Sequence, residues 1–190
     1  FLVGKQDLIK KELAQYTFDQ ARIGIVHAAQ VIDNNEHPVA AIRSKKDSSI
    51  VVAQKMVREG KADAVISAGS TGAILVGGQL VVGRIKGVER APLAAIIPTT
   101  KGVSLLIDCG ANVDARASHL LQFAKMGSIY MENVVGKKNP SVALVNIGLE
   151  EEKGNQLVKD TMPLLKECKT INFIGSVESR EIPHGWCDVI

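Results

Sequence analysis

The feature that most limits how this chain can fold is a repeated order of segments. A short apolar run rich in β-branched residues is followed by a turn of small or polar residues and then by a longer amphipathic stretch, and the order recurs along all 190 residues. Parallel strands need a crossover between them, usually a helix, so this alternation is typical of a mostly parallel sheet. We therefore predict one α/β domain over residues 1–190.

The individual segments follow from apolar periodicity and from turn residues. Strands are predicted at 1–4, 22–28, 64–67, 91–98, 103–108, 141–148 and 171–177, with 91–98 and 103–108 forming an antiparallel pair. Helices are predicted at 5–16, from Pro38, from the caps at 47–49 to about Glu59, over 71–84, from a cap at Ser118 to about Met131, and over 155–166.

Composition excludes several classes of protein. Hydrophobic residues make up 46% and charged residues 23%, which argues against a disordered chain or a coiled coil. Aromatic residues are only 4%, too few for a base-stacking surface, so no nucleic acid partner is expected. The net charge of +3 is compatible with an anionic substrate or an acidic partner.

The spacing of cysteines and the length of apolar runs indicate the cellular compartment in which the chain is expected. The three cysteines fit neither a zinc pattern nor a disulfide framework, which favours a reduced, cytoplasmic compartment. The four histidines show no metal-ligand spacing, so no metal is expected. No apolar run reaches the roughly 18 residues of a membrane span. The first and last residues lie within apparent strands, so we expect a fragment truncated at both ends.

The stretch "SAGSTG" at 67–72 is the strongest candidate site. Two glycines let a ligand approach the backbone, and the start of the next helix offers unpaired N–H groups and a positive dipole end, which suit a phosphate. The alternative is a tight turn that uses small residues for packing, and the sequence alone leaves both open. The candidate phosphate-binding residues are Ser67, Gly69, Ser70, Thr71 and Gly72.

Three further polar loops follow predicted strands, where ligands bind in open α/β sheets. They are "DCGANVD" at 108–114, "NIGLEEEKGN" at 146–155 and "GSVESRE" at 175–181. Asp and Asn side chains in such loops also satisfy nearby backbone groups, so turn formation is the favoured explanation for 108–114 taken alone. Two basic clusters are candidates for an acidic partner: Arg43, Lys45, Lys46, Arg84 and Lys86.

Taken together and in order, these loops resemble the bacterial phosphate acyltransferase family of phospholipid synthesis. The motifs that carry the resemblance are "DAVISAGSTGA", "GRIKGVERAPLA", "DCGANVD…HLLQFAKMGSIY", "NIGLEEEKGN" and "NFIGSVESR". The likeness spans nearly the whole chain, and several motifs in one order are far more specific than any single one.

The resemblance implies transfer of a fatty acyl group from acyl carrier protein to inorganic phosphate, giving acyl phosphate for phosphatidic acid synthesis, with no cofactor. It also implies a homodimer, loose association with the cytoplasmic membrane face, and a three-layer α/β/α sandwich related to isocitrate and isopropylmalate dehydrogenases and to phosphotransacetylases. Under this hypothesis the basic clusters steer the carrier protein, and the site is shaped by Asp108, Asn112, Asp114, Asn146, Glu150, Lys153 and Asn155.

The chain departs from the family pattern at four positions. Ser70 and Ser176 stand where the family has Asn, Ala117 where it has Pro, and Ser179 where it has Gly. Ser70 keeps a hydrogen-bonding group, so phosphate contact is still expected. The family's Gly-Gly-Asp and Asp-Gly-Phe-x-Gly-Asn motifs are absent, so this chain alone is expected to be inactive if both contribute to the site.

Two other functions compete with acyl transfer. A metal- and nicotinamide-dependent decarboxylating dehydrogenase has the same fold, but it needs an adenosine site and clustered aspartates that we do not find. A non-catalytic module that binds an acidic partner through the basic residues is the alternative outside enzymes.

Overall fold

The computed structural model describes residues 1–150 and 152–190. These residues form two compact units, 1–87 and 88–190. The prediction that the two constitute one acyltransferase domain stays a prediction.

The first unit begins with a parallel strand pair. Strand β1 (Leu2–Gly4) pairs with β2 (Ile25–His27), and helix α1 (Gln6–Leu13) and a short 3₁₀ turn at Gln20–Arg22 lie between them in sequence. This is the βα alternation that the sequence predicts, with a helix making the crossover.

Three helices complete the first unit. They are α2 (Pro38–Ser44), α3 (Ser49–Arg58) and α4 (Thr71–Gly77), and α4 continues as a π-helical turn over Gly78–Val82. The α3 cap is confirmed, because Ser48 Oγ accepts a hydrogen bond from the Val51 amide. The core of this unit consists of Ile32, Ala41, Ile42, Ile50, Val51 and Ala73.

The predicted strand at 64–67 is wrong. These residues have no strand pairing within the described chain, and Ile66 is 97% exposed. The apolar run has the composition of a strand, but a strand also requires a neighbour to satisfy its backbone groups, and this segment has none there.

The second unit contains a mixed sheet. Strands β3 (Ala94–Thr99) and β4 (Gly102–Ile107) form the predicted antiparallel pair, and β5 (Ser141–Asn146) and β6 (Asn172–Glu178) form a parallel pair. Val189 makes parallel bridges to Leu105 of β4 and to Val142 of β5. The carboxyl ends of β4, β5 and β6 therefore lie along the same edge of this sheet.

Two helices pack on one face of that sheet. They are α5 (Ala117–Tyr130), which continues as a π-helical turn over Met131–Val135, and α6 (Gln156–Glu167); a 3₁₀ helix spans Ser179–His184. The core beneath α5 and α6 includes Leu105, Ala124, Met131, Val142, Leu165 and Val189. The α/β content and the parallel strand pairs agree with the predicted fold class.

The predicted cap of α5 is wrong. The helix begins at Ala117, its N-cap is Arg116, and Ser118 lies inside the first turn. Ser118 Oγ instead donates a hydrogen bond to Glu89, which is 29 residues away in sequence. A hydroxyl near a helix start has both local and distant partners, and the sequence does not show which one it takes.

Candidate functional site

The turn at 67–72 in the first unit is held by its own hydroxyl groups. Ser70 is the N-cap of α4, is 8% exposed, and its Oγ accepts a hydrogen bond from the Ala73 amide at 3.3 Å. Ser67 Oγ accepts from the Gly69 amide at 3.1 Å. Both oxygens act here as acceptors, so each hydroxyl proton is left to donate elsewhere.

Two backbone amides at the start of α4 take no part in the hydrogen bonds of the helix. Thr71 and Gly72 occupy its first two positions, and neither amide donates a hydrogen bond within residues 1–150 and 152–190. Unpaired N–H groups at a helix start favour an anion, both through direct hydrogen bonds and through the positive end of the helix dipole. Together with Ser70 they can supply three donors.

The glycines of this turn also serve packing. A Cβ on Gly72 would lie 2.7 Å from Pro38 Cγ of α2, and one on Gly69 would lie 3.2 Å from Ile50 Cδ1. Gly72 is therefore required for close contact between α4 and α2, whatever the turn binds. The packing explanation offered by the sequence is therefore confirmed, and phosphate binding by this turn stays a prediction.

A cavity of about 310 Å³ lies against the same turn. Its lining includes Ser67 of the turn and Gln54 of α3. Gln54 is 2% exposed; its Nε2 donates to the Ile74 carbonyl at 2.9 Å, whereas its Oε1 has no hydrogen-bond partner among the described residues.

The basic residues proposed to meet an acidic partner differ in their surroundings. Lys45 Nζ forms an ion pair with Glu36 Oε1 at 2.6 Å and also donates to the Val31 carbonyl. The hydrogen bond from Lys45 lowers the pKa of Glu36 below its ordinary value. The side chains of Arg43, Lys46, Arg84 and Lys86 are exposed. Lys45 is therefore already paired within the chain, and Lys46 Nζ donates to the Ile42 carbonyl at 3.4 Å.

Asp108 and Asn112 organise the loop that follows β4. The Asp108 carboxylate accepts hydrogen bonds from the amides of Leu93 (2.6 Å), Ala111 (3.2 Å) and Asn112 (2.7 Å), and from Asn112 Nδ2 (3.2 Å). Asn112 Nδ2 also donates to the Ala91 carbonyl. These contacts tie the loop to the segment before β3, which is the turn chemistry that the sequence also allowed.

The loop after β5 is organised in a similar way. Asn146 is 6% exposed; its Nδ2 donates to the Lys153 carbonyl and to Ser176 Oγ of β6, and its Oδ1 accepts from the Ile147 amide. Asn155 caps α6, with Oδ1 accepting from the Val158 amide at 3.0 Å. Asn146 therefore joins the carboxyl ends of two neighbouring strands.

The remaining predicted residues of this edge face solvent. The side chains of Asp114, Glu150 and Lys153 are all exposed, and the Lys153 amide donates to the Glu150 carbonyl in a turn. The neighbouring Glu151 lies outside the described residues. The second unit thus places all seven predicted site residues in loops or at a strand end on one edge of its sheet, and four of them, Asn155 included, are exposed.

The structure adds a pair that sequence reasoning missed. His119, 4% exposed, lies 3.0 Å through Nε2 from Glu89 Oε2. Glu89 lies within the motif "GRIKGVERAPLA", but neither Glu89 nor His119 is among the candidate site residues that the sequence indicates. No local spacing reveals the pair, because 30 positions separate the two residues.

The cysteines differ in reactivity. Burial raises the pKa of Cys109, and burial together with the adjacent Asp188 carboxylate raises the pKa of Cys187 to about 11. At Cys168 burial acts in the same direction, but hydrogen bonds with Thr170 outweigh it, so the pKa is lowered. Cys109 lies in a candidate site loop as a thiol with weakened acidity, which argues against nucleophilic attack by its sulfur.

Two further observations concern the described residues as a whole. None of their helices is long and apolar enough to cross a membrane. They also include no group of three or more His, Cys, Asp or Glu side chains placed to hold a metal ion.

The fold is similar to that of solved acyl-transferring enzymes. A phosphotransacetylase from Streptococcus pyogenes superposes with a TM-score of 0.64 at 14% identity, covering 98% of this chain and 67% of that chain. A branched-chain phosphotransacylase from Enterococcus faecalis gives a TM-score of 0.52 at 14% identity, covering 100% of this chain and 78% of that one. The predicted likeness to phosphotransacetylases is confirmed at the level of fold.

Curated relatives are similar in sequence over the whole chain. A phosphate acyltransferase from Alkaliphilus oremlandii is 54% identical over 189 residues, and one from Clostridioides difficile is 52% identical over 190. The chain spans about 56% of the length of these relatives. A family model described as "Fatty acid synthesis protein" matches residues 1–190, and the chain belongs to that family.

Proposed function

We propose that this chain supplies the phosphate-binding turn and polar site loops of an enzyme that transfers a fatty acyl group from acyl carrier protein to inorganic phosphate. The observation that carries the proposal is the start of α4, where the Thr71 and Gly72 amides and the Ser70 hydroxyl are available to donate to an anion. The names of the relatives, phosphate acyltransferase, supply the acceptor that this donor set fits.

The reaction mainly requires that the phosphate and the thioester be held in position. A phosphate oxygen attacks the thioester carbonyl carbon, the new C–O bond forms, and the C–S bond breaks as sulfur leaves with the electron pair. A thiolate is a good leaving group, so strong acid assistance is not required. Holding the anion in place and stabilising the developing oxyanion by fixed donors provide the catalysis. No covalent acyl-enzyme is needed, which agrees with the weakened acidity of the Cys109 thiol.

The site residues contribute in different ways. Ser67, Gly69, Ser70, Thr71 and Gly72 bind phosphate. In the second unit, Asp108, Asn112, Asn146 and Asn155 fix the loops through the contacts described above, while Asp114, Glu150 and Lys153 present exposed groups to the substrate. Arg43, Lys46, Arg84 and Lys86 attract the acidic carrier protein, with Lys45 contributing less because Glu36 neutralises it.

The remaining parts of the proposal concern the whole protein. It is a cytoplasmic homodimer that associates with the inner face of the membrane and provides acyl phosphate for phosphatidic acid synthesis. Its complete sheet has helices on both faces, in the three-layer α/β/α arrangement shared with isocitrate and isopropylmalate dehydrogenases.

The test uses the product of the complete reading frame that encodes this chain. Acyl-acyl carrier protein is incubated with and without inorganic phosphate, thioester loss is followed, and acyl phosphate is trapped with hydroxylamine. Phosphate-dependent loss of thioester with formation of the hydroxamate supports the proposal. Tight binding of carrier protein without acyl phosphate would instead favour a binding module.

A further inference from the structure

Strand β1 is paired along only one of its two edges. In the parallel pair with β2, the Leu2 amide donates to the Gly24 carbonyl at 2.8 Å, and the Ala28 amide donates to the Gly4 carbonyl at 2.8 Å. Successive residues of a strand direct their backbone groups to alternate sides, so the N–H and C=O of Val3 point away from β2. Within the described residues, no strand lies on that side of β1.

The segment 64–67 is a second stretch of backbone without partners. None of its N–H or C=O groups forms a hydrogen bond with the rest of residues 1–150 and 152–190. Its side chains are nevertheless mainly apolar, and Val65 and Ile66 are 36% and 97% exposed. A β-branched segment with unpaired backbone groups has the composition of a strand whose neighbour is absent.

The cavity of about 310 Å³ in the first unit is lined by both of these stretches. Leu2 and Val3 of β1 line it, as do residues 64–67, and Ile50 and Ala53 of α3 contribute apolar side chains. Paired strands lie about 4.8 Å apart, which leaves no cavity between them. β1 and 64–67 are therefore not neighbours in a sheet, and the space that they share can hold further backbone packed on α3.

We propose that a β-strand from the part of the complete reading-frame product outside residues 1–190 inserts between β1 and 64–67. The chain spans about 56% of the length of its curated relatives, so a protein of their length has further residues that can supply this strand. A segment of the same polypeptide is favoured over a second molecule because it is tethered, which gives it a high effective concentration. A strand paired on both edges is buried, so it should be a run of about four to six mainly β-branched apolar residues.

The inserted strand also fixes the entry to the turn at 67–72. Ser67 is the last residue of the unpaired segment and the first residue of the turn, and it lines the cavity. Hydrogen bonds to the backbone of 64–67 hold the turn in position before an anion binds. This consequence for phosphate binding rests on the proposed function, whereas the insertion of the strand does not.

The first test measures amide hydrogen exchange in the unsubstituted complete reading-frame product. We expect the Val3 amide to exchange at least about 100-fold more slowly than in an unstructured peptide, as the Ala28 amide of the β1–β2 pair should. Exchange of the Val3 amide at the rate of an unstructured peptide, with the Ala28 amide protected, overturns the inference.

A matched pair of variants tests the same hydrogen bond through stability. Val3→Pro removes the N–H that faces the cavity, whereas Val3→Ala shortens the side chain and keeps that N–H. Proline is tolerated on an edge strand but not in the middle of a sheet, so the Tm of Val3→Pro should lie about 3 °C or more below that of Val3→Ala. Equal Tm values overturn the inference, and the exchange measurement decides the matter if Val3→Pro does not fold.

A crystal structure of the complete reading-frame product identifies the occupant. Residues outside 1–190 of the same molecule, hydrogen-bonded to Val3 on one side and to 64–67 on the other, support the proposal. A strand from a second molecule, direct pairing of 64–67 with β1, or an empty cleft overturns it. Phosphate-dependent acyl transfer is measured on the same protein, and its absence overturns the proposed function while the inserted strand stands.

Discussion

Replacement of Ser70 tests the phosphate-binding turn through two separable effects. Ser70 Oγ caps α4 by accepting from the Ala73 amide, and its proton is available to a bound anion. Ser70→Ala removes both functions, whereas Ser70→Asn restores a capping oxygen and an N–H donor. The two variants therefore form a matched pair.

The magnitudes follow from the two roles. Loss of the cap costs about 1 kcal/mol of folding free energy, which lowers Tm by about 2–4 °C in a chain of this size. Loss of a hydrogen bond to a charged ligand costs about 1.5–3 kcal/mol of binding, equivalent to roughly a 10- to 150-fold higher KM for phosphate. We expect Ser70→Val to behave like Ser70→Ala, and Ser70→Asn to stay within about threefold of wild type.

The assay is steady-state acyl phosphate formation, with phosphate and acyl-acyl carrier protein varied in turn and Tm recorded for each variant. The KM for phosphate should rise in Ser70→Ala while the KM for the carrier protein changes little. The reasoning is refuted if both KM values rise together, or if only Tm falls, because Ser70 would then act solely as a helix cap.

Three further predictions concern stability and thiol chemistry. Gly77→Ala should lower the free energy of unfolding in urea by about 1–3 kcal/mol, because the new Cβ meets the buried Gln54 side chain. Gly78→Ala is the control and should not destabilise the chain, because nothing lies within 4 Å of its Cβ. Equal effects of the two substitutions would contradict the packing argument. Cys187, with its pKa raised to about 11, should resist iodoacetamide at pH 8 until the protein unfolds, and rapid labelling of the native state would be inconsistent with its burial. Burial alone would raise the pKa of Asp188, but hydrogen bonds outweigh it and lower the pKa, so the ionised carboxylate stabilises the fold above about pH 4 and this stabilisation is lost as the pH falls below that. Asp188→Asn should therefore have a lower free energy of unfolding than wild type at pH 7, and the difference should close in acid. A difference that does not change with pH would disprove the coupling between Asp188 ionisation and stability.

Local patterns predicted much of the fold because the relevant interactions are local. The cap at Ser48, the helix start at Pro38 and the antiparallel pair β3 and β4 all depend on residues close together in sequence. The strand predicted at 64–67 failed because strand formation depends on a distant partner, which an apolar run does not reveal.

In the candidate site, too, local features could be predicted from the sequence and contacts between distant residues could not. The turn at 67–72 could be predicted from its glycines and hydroxyls, although its contact with Pro38 could not. The Asp108 contacts with Leu93 and the Glu89 contact with His119 join segments 15 and 30 positions apart, so only the folded chain reveals them. The sequence indicated which loops are polar, and the structure showed which polar side chains form hydrogen bonds with one another.

The central claim is that the start of α4 binds inorganic phosphate. The most direct measurement is a titration of phosphate into the ¹⁵N-labelled protein, following amide resonances, with chloride at matched ionic strength as the control. Saturable shifts centred on Thr71 and Gly72, weakened in Ser70→Ala and retained in Ser70→Asn, are the predicted result. Shifts that spare these two amides, or that chloride reproduces, would contradict the claim.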